Sequence, residues 1–130
     1  MSVLKILLVD DSATVRKVIR YQLMVHGCRD FSEADHPSQA LELLVKERHQ
    51  LVTLDLMMPT FGGISTEEAF AAMRGECPDT AIVIVTSMAY EKLKLYYLQK
   101  GALAYVVKPF TRFAFEELRR KLGGLFVQFR

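Results

Sequence analysis

Five short strand-like runs alternate with five amphipathic stretches along this chain, and that alternation constrains the fold more than any other feature. The runs are LKILLV (4 to 9), RDFSEA (29 to 34), LVTLDL (51 to 56), AIVIVT (81 to 86) and AYVV (104 to 107). The first, third and fourth are almost wholly apolar, as central parallel strands covered on both faces must be; the second is more polar and suits an edge. Strand then helix, five times over, argues for an α/β fold with a five-stranded parallel sheet and helices on both faces.

The helical stretches carry their own punctuation. In ATVRKVIRYQLM, Val15, Val18, Ile19 and Leu23 share a face, and Gly27 closes the helix. PSQALELLVKE opens on Pro37 at a first-turn position and presents Leu41, Leu44 and Val45. Ser65 and Glu68 stand at capping-box spacing before a third helix. YEKLKLYYLQK runs to Gly101, and TRFAFEELRRKL runs to Gly123 and Gly124.

At 130 residues, 51% hydrophobic and 25% charged, the composition is that of one ordinary globular domain and not of a disordered chain. MSVLKILLVDDS has too short an apolar run for a secretory signal or a membrane span, so a cytoplasmic location is expected. Cys28, Cys77, His26, His36 and His49 lack metal-ligand spacing, and both thiols are expected to be free. The net charge is +2; Arg16, Lys17 and Arg20, and Arg112, Arg119, Arg120 and Lys121, read as solvated helix faces. No aromatics interleave with them as in a nucleic-acid groove, so nucleic acid is not an expected partner.

In open parallel sheets ligands bind outside the carboxyl ends of the strands, so the polar residues there matter most. Run one ends in Asp10 and Asp11, run three carries Asp55 near its end, run four ends in Thr86 and Ser87, and run five in Lys108. Taken singly each has an ordinary reading: a helix cap for the acidic pair, a strand residue for Thr86, a loop for Lys108-Pro109. Together, three carboxylates on one edge call for a shared proton or a cation, and Mg2+, which takes oxygen ligands, suits them best. Lys108 and Thr86 add the positive charge and hydroxyl that a phosphoryl group needs, and an aspartate so placed can act as a nucleophile.

The segments LLVDDS, LDLMMP followed by Gly63, IVTS and YVVKPF, in this order and spacing, resemble the receiver domain of bacterial two-component response regulators, chemotaxis regulators among them. The resemblance covers about residues 4 to 122 and implies a flavodoxin-like strand order 2-1-3-4-5. It implies that Asp55 is the phosphoacceptor, with the phosphoryl group coming from a histidine kinase or histidine phosphotransfer protein. Asp11, Asp55 and the Met57 carbonyl would hold Mg2+, supported by Asp10; Lys108 would contact a phosphoryl oxygen. Thr86 would swing toward the phosphoryl group, Tyr105 would turn inward with it, and the Lys108-Pro109 bond would be cis. The fourth helix, fifth strand and fifth helix would then engage a downstream effector, an attached output domain or a second copy; Leu95, Tyr96, Tyr97, Leu98 and Phe113 there are more apolar groups than one buried stripe needs, so several are expected in the core and the rest on a partner surface.

On this reading the chain is a switch that catalyses its own phosphorylation and slow dephosphorylation, not an enzyme acting on other substrates. A magnesium-dependent aspartyl-phosphate phosphatase would want an acid two residues beyond the nucleophile, where Met57 stands. Residues 1–122 are expected to form the receiver domain and 123–130 a C-terminal tail or linker stub. Three departures stand out: Gly62, which makes a flexible Gly-Gly loop; Ser87, where alanine is common; and Met57 and Met88, apolar residues expected to flank and obstruct the path of attacking water.

Overall fold

The computed structural model describes residues 4–123, and LFVQFR at the C-terminus lies outside them. Strands β1 (Lys5–Val9), β2 (Asp30–Ala34), β3 (Leu51–Leu54), β4 (Ala81–Thr86) and β5 (Ala104–Val107) alternate with helices α1 (Ala13–Val25), α2 (Pro37–Glu47), α3 (Thr66–Glu76), α4 (Glu91–Gln99) and α5 (Arg112–Gly123). Every strand pairing is parallel, in the order β2-β1-β3-β4-β5. The expected flavodoxin-like topology is therefore the observed one.

Successive strand residues point to opposite faces, so the central strands feed two cores. Leu7, Val9, Val52, Leu54, Ile82 and Ile84 pack under α2, α3 and α4 with Leu44, Phe70, Met73 and Tyr97. Ile6, Leu8, Val83 and Val85 pack under α1 and α5 with Ile19, Leu23, Phe115, Leu118 and Leu122. β2, only its last residue buried, is the polar edge its sequence announced.

Helix entries follow the sequence closely. Ser12 caps α1 by accepting the Val15 N–H, Pro37 opens α2, and Ser65 and Glu68 form a complete capping box on α3. β3 is two residues shorter than LVTLDL suggests, so Asp55 and Leu56 lie just beyond it. The Asp55 N–H still donates to the Val9 carbonyl at 3.0 Å, which keeps the residue in register with β1.

The two glycines after Asp55 are constrained rather than loose. Gly62 takes φ +79°, a region that disfavours side chains, and a Cβ on Gly63 would lie 2.1 Å from Ser38 Oγ. That Ser38 oxygen accepts the Ile64 N–H, so the loop is pinned to α2. Gly63→Ala is expected to destabilise the fold by about 1–3 kcal/mol, an overpacking penalty readable as a lower urea midpoint.

Both cysteines are free and buried. His49 is also buried, its Nε2 beside Ser32 Oγ and its Nδ1 without a hydrogen-bond partner among the described residues. Burial pushes its pKa down. The unfolded chain therefore binds this proton first: the contribution is intact above roughly pH 6.5 and is lost as pH falls toward the folded value. Chemical denaturation at pH 7 and pH 5 should show a larger acid loss in the parent than in His49→Gln.

Candidate functional site

The carboxyl ends of β1, β3, β4 and β5 lie along one edge of the sheet, and the residues beyond them meet there. Asp10 and Asp55 are 1% and 3% exposed, whereas Asp11 is open to solvent. One carboxylate oxygen from each of the three lies within 4.8 Å of the other two. From the end of β5, Lys108 Nζ reaches Asp10 Oδ2 at 2.8 Å and Asp55 Oδ2 at 3.3 Å. The acid stranded in an apolar run thus has an ammonium ion for company.

Each carboxylate is also held by the chain that delivers it. Asp10 Oδ1 accepts the Ser12 N–H at 2.8 Å, so the ordinary reading of the acidic pair is half right: Ser12 caps the helix and Asp10 orders the turn before it. Asp55 Oδ1 accepts the Met57 N–H at 3.2 Å. Burial raises the Asp55 pKa and Asp10 raises it further, against the Met57 N–H and Lys108, which favour the carboxylate. Burial works to lower the Lys108 pKa, but its contacts with Asp10 and Asp55 win and hold it above the usual lysine range.

Thr86 is fully buried, and its Oγ1 accepts the Met88 N–H at 3.3 Å. Its carbonyl takes the Lys108 N–H at 2.7 Å, which ties the ends of β4 and β5 together. Tyr105 is turned into the protein, 9% exposed, its hydroxyl donating to the Met88 carbonyl at 2.6 Å. Met57 is more than half exposed, with the Ser87 hydroxyl 3.8 Å from its sulfur. The Lys108-Pro109 peptide is cis.

Three carboxylates and one ammonium leave two formal negative charges on this edge. Hard oxygen donors with uncompensated charge suit a divalent cation such as Mg2+, and among the described residues no histidine or cysteine joins the three carboxylates. The residues present therefore fit the ion that the sequence suggested.

A protein-family model described as the response regulator receiver domain matches residues 6–122. The chain belongs to that family. This receiver domain is 30% identical over 106 residues to the chemotaxis protein CheY of Bacillus subtilis, a match covering 82% of this chain and 86% of CheY. It is 35% identical over 107 residues to a probable transcriptional regulator, ycf27, of Porphyridium aerugineum; that match covers 82% of this chain but 42% of the regulator, which is much longer. In fold it is similar to a CheY-like receiver domain protein from Methanospirillum hungatei, with a TM-score of 0.81 and 24% identity over 95% of this chain and 96% of the other.

One expectation is sharpened and one needs correction. Of the five apolar residues named on the α4-β5-α5 face, the core takes Tyr97, buried edge-on to Phe70, and Leu98, while Leu95, Tyr96 and Phe113 are exposed. Arg16 does not belong to a solvated face. Its side chain is 16% exposed, with Nε 2.6 Å from Glu33 and Nη1 donating to the Asp10 carbonyl. Arg16 is four residues after the Ser12 cap, and helical side chains lean toward the N-terminus, so it reaches the acidic turn; the Glu33 that holds it there comes from β2, which spacing alone does not bring near.

Proposed function

We propose that this receiver domain is a phosphorylation switch in which Asp55 accepts a phosphoryl group from a histidine kinase or histidine phosphotransfer protein. The observation that supports it most is Lys108 bound at once to Asp10 and Asp55, with Asp11 completing an acidic cluster at the carboxyl edge of the sheet. An Asp55 oxygen attacks phosphorus, the P–N bond of the donor phosphohistidine breaks, and the imidazole nitrogen keeps the electron pair. Asp10, Asp11 and Asp55, with the Met57 carbonyl, would hold Mg2+, which when bound supplies positive charge for the phosphoryl oxygens.

Lys108 follows the new charge. Its ammonium already touches Asp55, so reaching a phosphoryl oxygen on that residue is a small re-aiming of a flexible side chain. Thr86 turns its hydroxyl from the Met88 N–H to another phosphoryl oxygen, and Tyr105, already inward and bonded to the Met88 carbonyl, couples the released segment to β5. The change reaches Leu95, Tyr96, Val107 and Phe113, exposed apolar groups on α4, β5 and α5 that suit a protein partner. That partner is a separate effector, an attached output domain or a second copy. Similarity to both a short chemotaxis protein and a longer transcriptional regulator accommodates either arrangement.

Residues 1–122 constitute the switch on this reading, and it works in the cytoplasm, where its phosphodonor resides. Among the described residues no helix is long and apolar enough to cross a membrane. Incubation with Mg2+ and a small phosphodonor such as acetyl phosphate should add one phosphoryl group by intact mass, and EDTA should suppress it. An unmodified wild-type protein would overturn the proposal.

The phosphoryl group should also be long-lived, because Met57 and Met88 present no polar group to guide attacking water. Replacing both with asparagine, whose amides can hydrogen-bond and orient a water, is expected to speed hydrolysis. Slower hydrolysis in the double variant would count against the idea.

A further inference from the structure

Arg16 and Glu33 form a clamp on the main chain of the acidic turn. The Asp10 N–H donates to the Ala34 carbonyl of β2 at 3.1 Å, and the Asp10 carbonyl accepts from Arg16 Nη1. Glu33, the neighbour of Ala34, holds Arg16 Nε at 2.6 Å through one oxygen and Arg20 Nη1 at 3.3 Å through the other. The Asp10 carbonyl and the Asp11 amide share one rigid peptide plane, so fixing that oxygen also orients the start of Asp11. Asp11 is the exposed member of the acidic cluster and, in contrast to Asp10 and Asp55, its carboxylate takes no hydrogen bond among the described residues.

From this geometry we infer that Arg16 is a positioning residue for the divalent cation: held by Glu33, it sets the Asp10-Asp11 peptide so that the Asp11 carboxylate meets those of Asp10 and Asp55. The inference rests on the reading of this edge as a Mg2+ site. It also makes a claim that simple electrostatics contradicts. A guanidinium beside an acidic cluster repels a second cation, so on charge alone its removal should tighten Mg2+ binding. If Arg16 positions the ligands, its removal weakens binding, as loss of a residue supporting metal ligands typically does by about 10–100-fold.

The test is a Mg2+ titration of the full chain followed by the backbone amide NMR signals of residues 10, 11 and 55, well below the melting temperature, with no phosphodonor present. Arg16→Gln removes the charge and the fork; Arg16→Lys keeps the charge and loses the two-nitrogen fork. Both are expected to weaken Mg2+ binding by about tenfold. Arg20→Gln removes the same charge from the same helix without touching Asp10, and should bind Mg2+ as well as the parent or better. The double substitution Glu33→Gln with Arg20→Gln leaves the net charge unchanged but takes away Arg16's ionic partner; it should lose affinity too, and it serves if the Arg16 variants fold poorly. Unchanged binding in Arg16→Lys or in the double variant, or tighter binding in Arg16→Gln, overturns the clamp. A parent protein whose signals ignore Mg2+ overturns the metal reading itself, and the clamp with it.

Discussion

Replacing Asp55 with asparagine is expected to abolish phosphoryl uptake and, at neutral pH, to make the protein more stable. The first effect follows because an amide is not a nucleophile for phosphorus. The second follows from the position of the acid. Burial and then Asp10 raise the Asp55 pKa above its unfolded value, against the Met57 N–H and Lys108. The Asp55 contribution is therefore fully present below about pH 4, the unfolded carboxylate value, and is lost as pH rises through the folded pKa. At neutral pH the ionised group therefore costs stability, which asparagine avoids. Urea denaturation should show Asp55→Asn above wild type at pH 7 and the two converging toward pH 4. Intact mass after treatment with acetyl phosphate should show no adduct on the variant. An equal adduct on both proteins would mean that another residue is the acceptor.

Removing Lys108 should have the opposite effect on stability. Lys108→Met keeps much of the aliphatic stem and deletes the ammonium that joins Asp10 and Asp55, whose side chains are 2% and 4% exposed. Breaking a buried ion pair from one side typically costs about 3–5 kcal/mol, and because Lys108 keeps some contact with water the lower end of that range is expected here. The loss should shrink at low pH, where Asp55 takes up its proton. It should shrink also with added Mg2+, which would bind the variant more tightly than the parent because its rival cation is gone. Phosphoryl uptake from acetyl phosphate should fall sharply as well. Full stability at pH 7 without Mg2+ would show that the contacts of Lys108 contribute little.

Much of this site was legible because strand ends are legible. β1, β3 and β4 are largely apolar runs with polar residues at their carboxyl ends, where a parallel sheet binds ligands, so Asp10, Asp55 and Thr86 could be placed from the sequence. Caps built from neighbouring residues, such as Ser65 with Glu68, could be read in the same way. What escaped depends on distant partners. Arg16 reads as a surface cation until β2 brings Glu33 beside it. In Tyr96-Tyr97, periodicity does not say which ring turns inward; Phe70 of α3 takes Tyr97, and Glu67 takes the Tyr96 hydroxyl at 2.6 Å. His49 follows α2 with no sign of its burial, which comes from its packing by Ser32 of β2.

The double attachment of Lys108 also bears on the order of events in time. Its proposed move from Asp10 and Asp55 to a phosphoryl oxygen would be a side-chain rotation, which needs no change of backbone. Rearranging the segment after β4, where Thr86 and Tyr105 both hold Met88, involves backbone and belongs to nanoseconds or longer. On the proposed reading, charge would thus be neutralised before the surface changed shape, and the earliest phosphorylated molecules would still present the resting face to their partners.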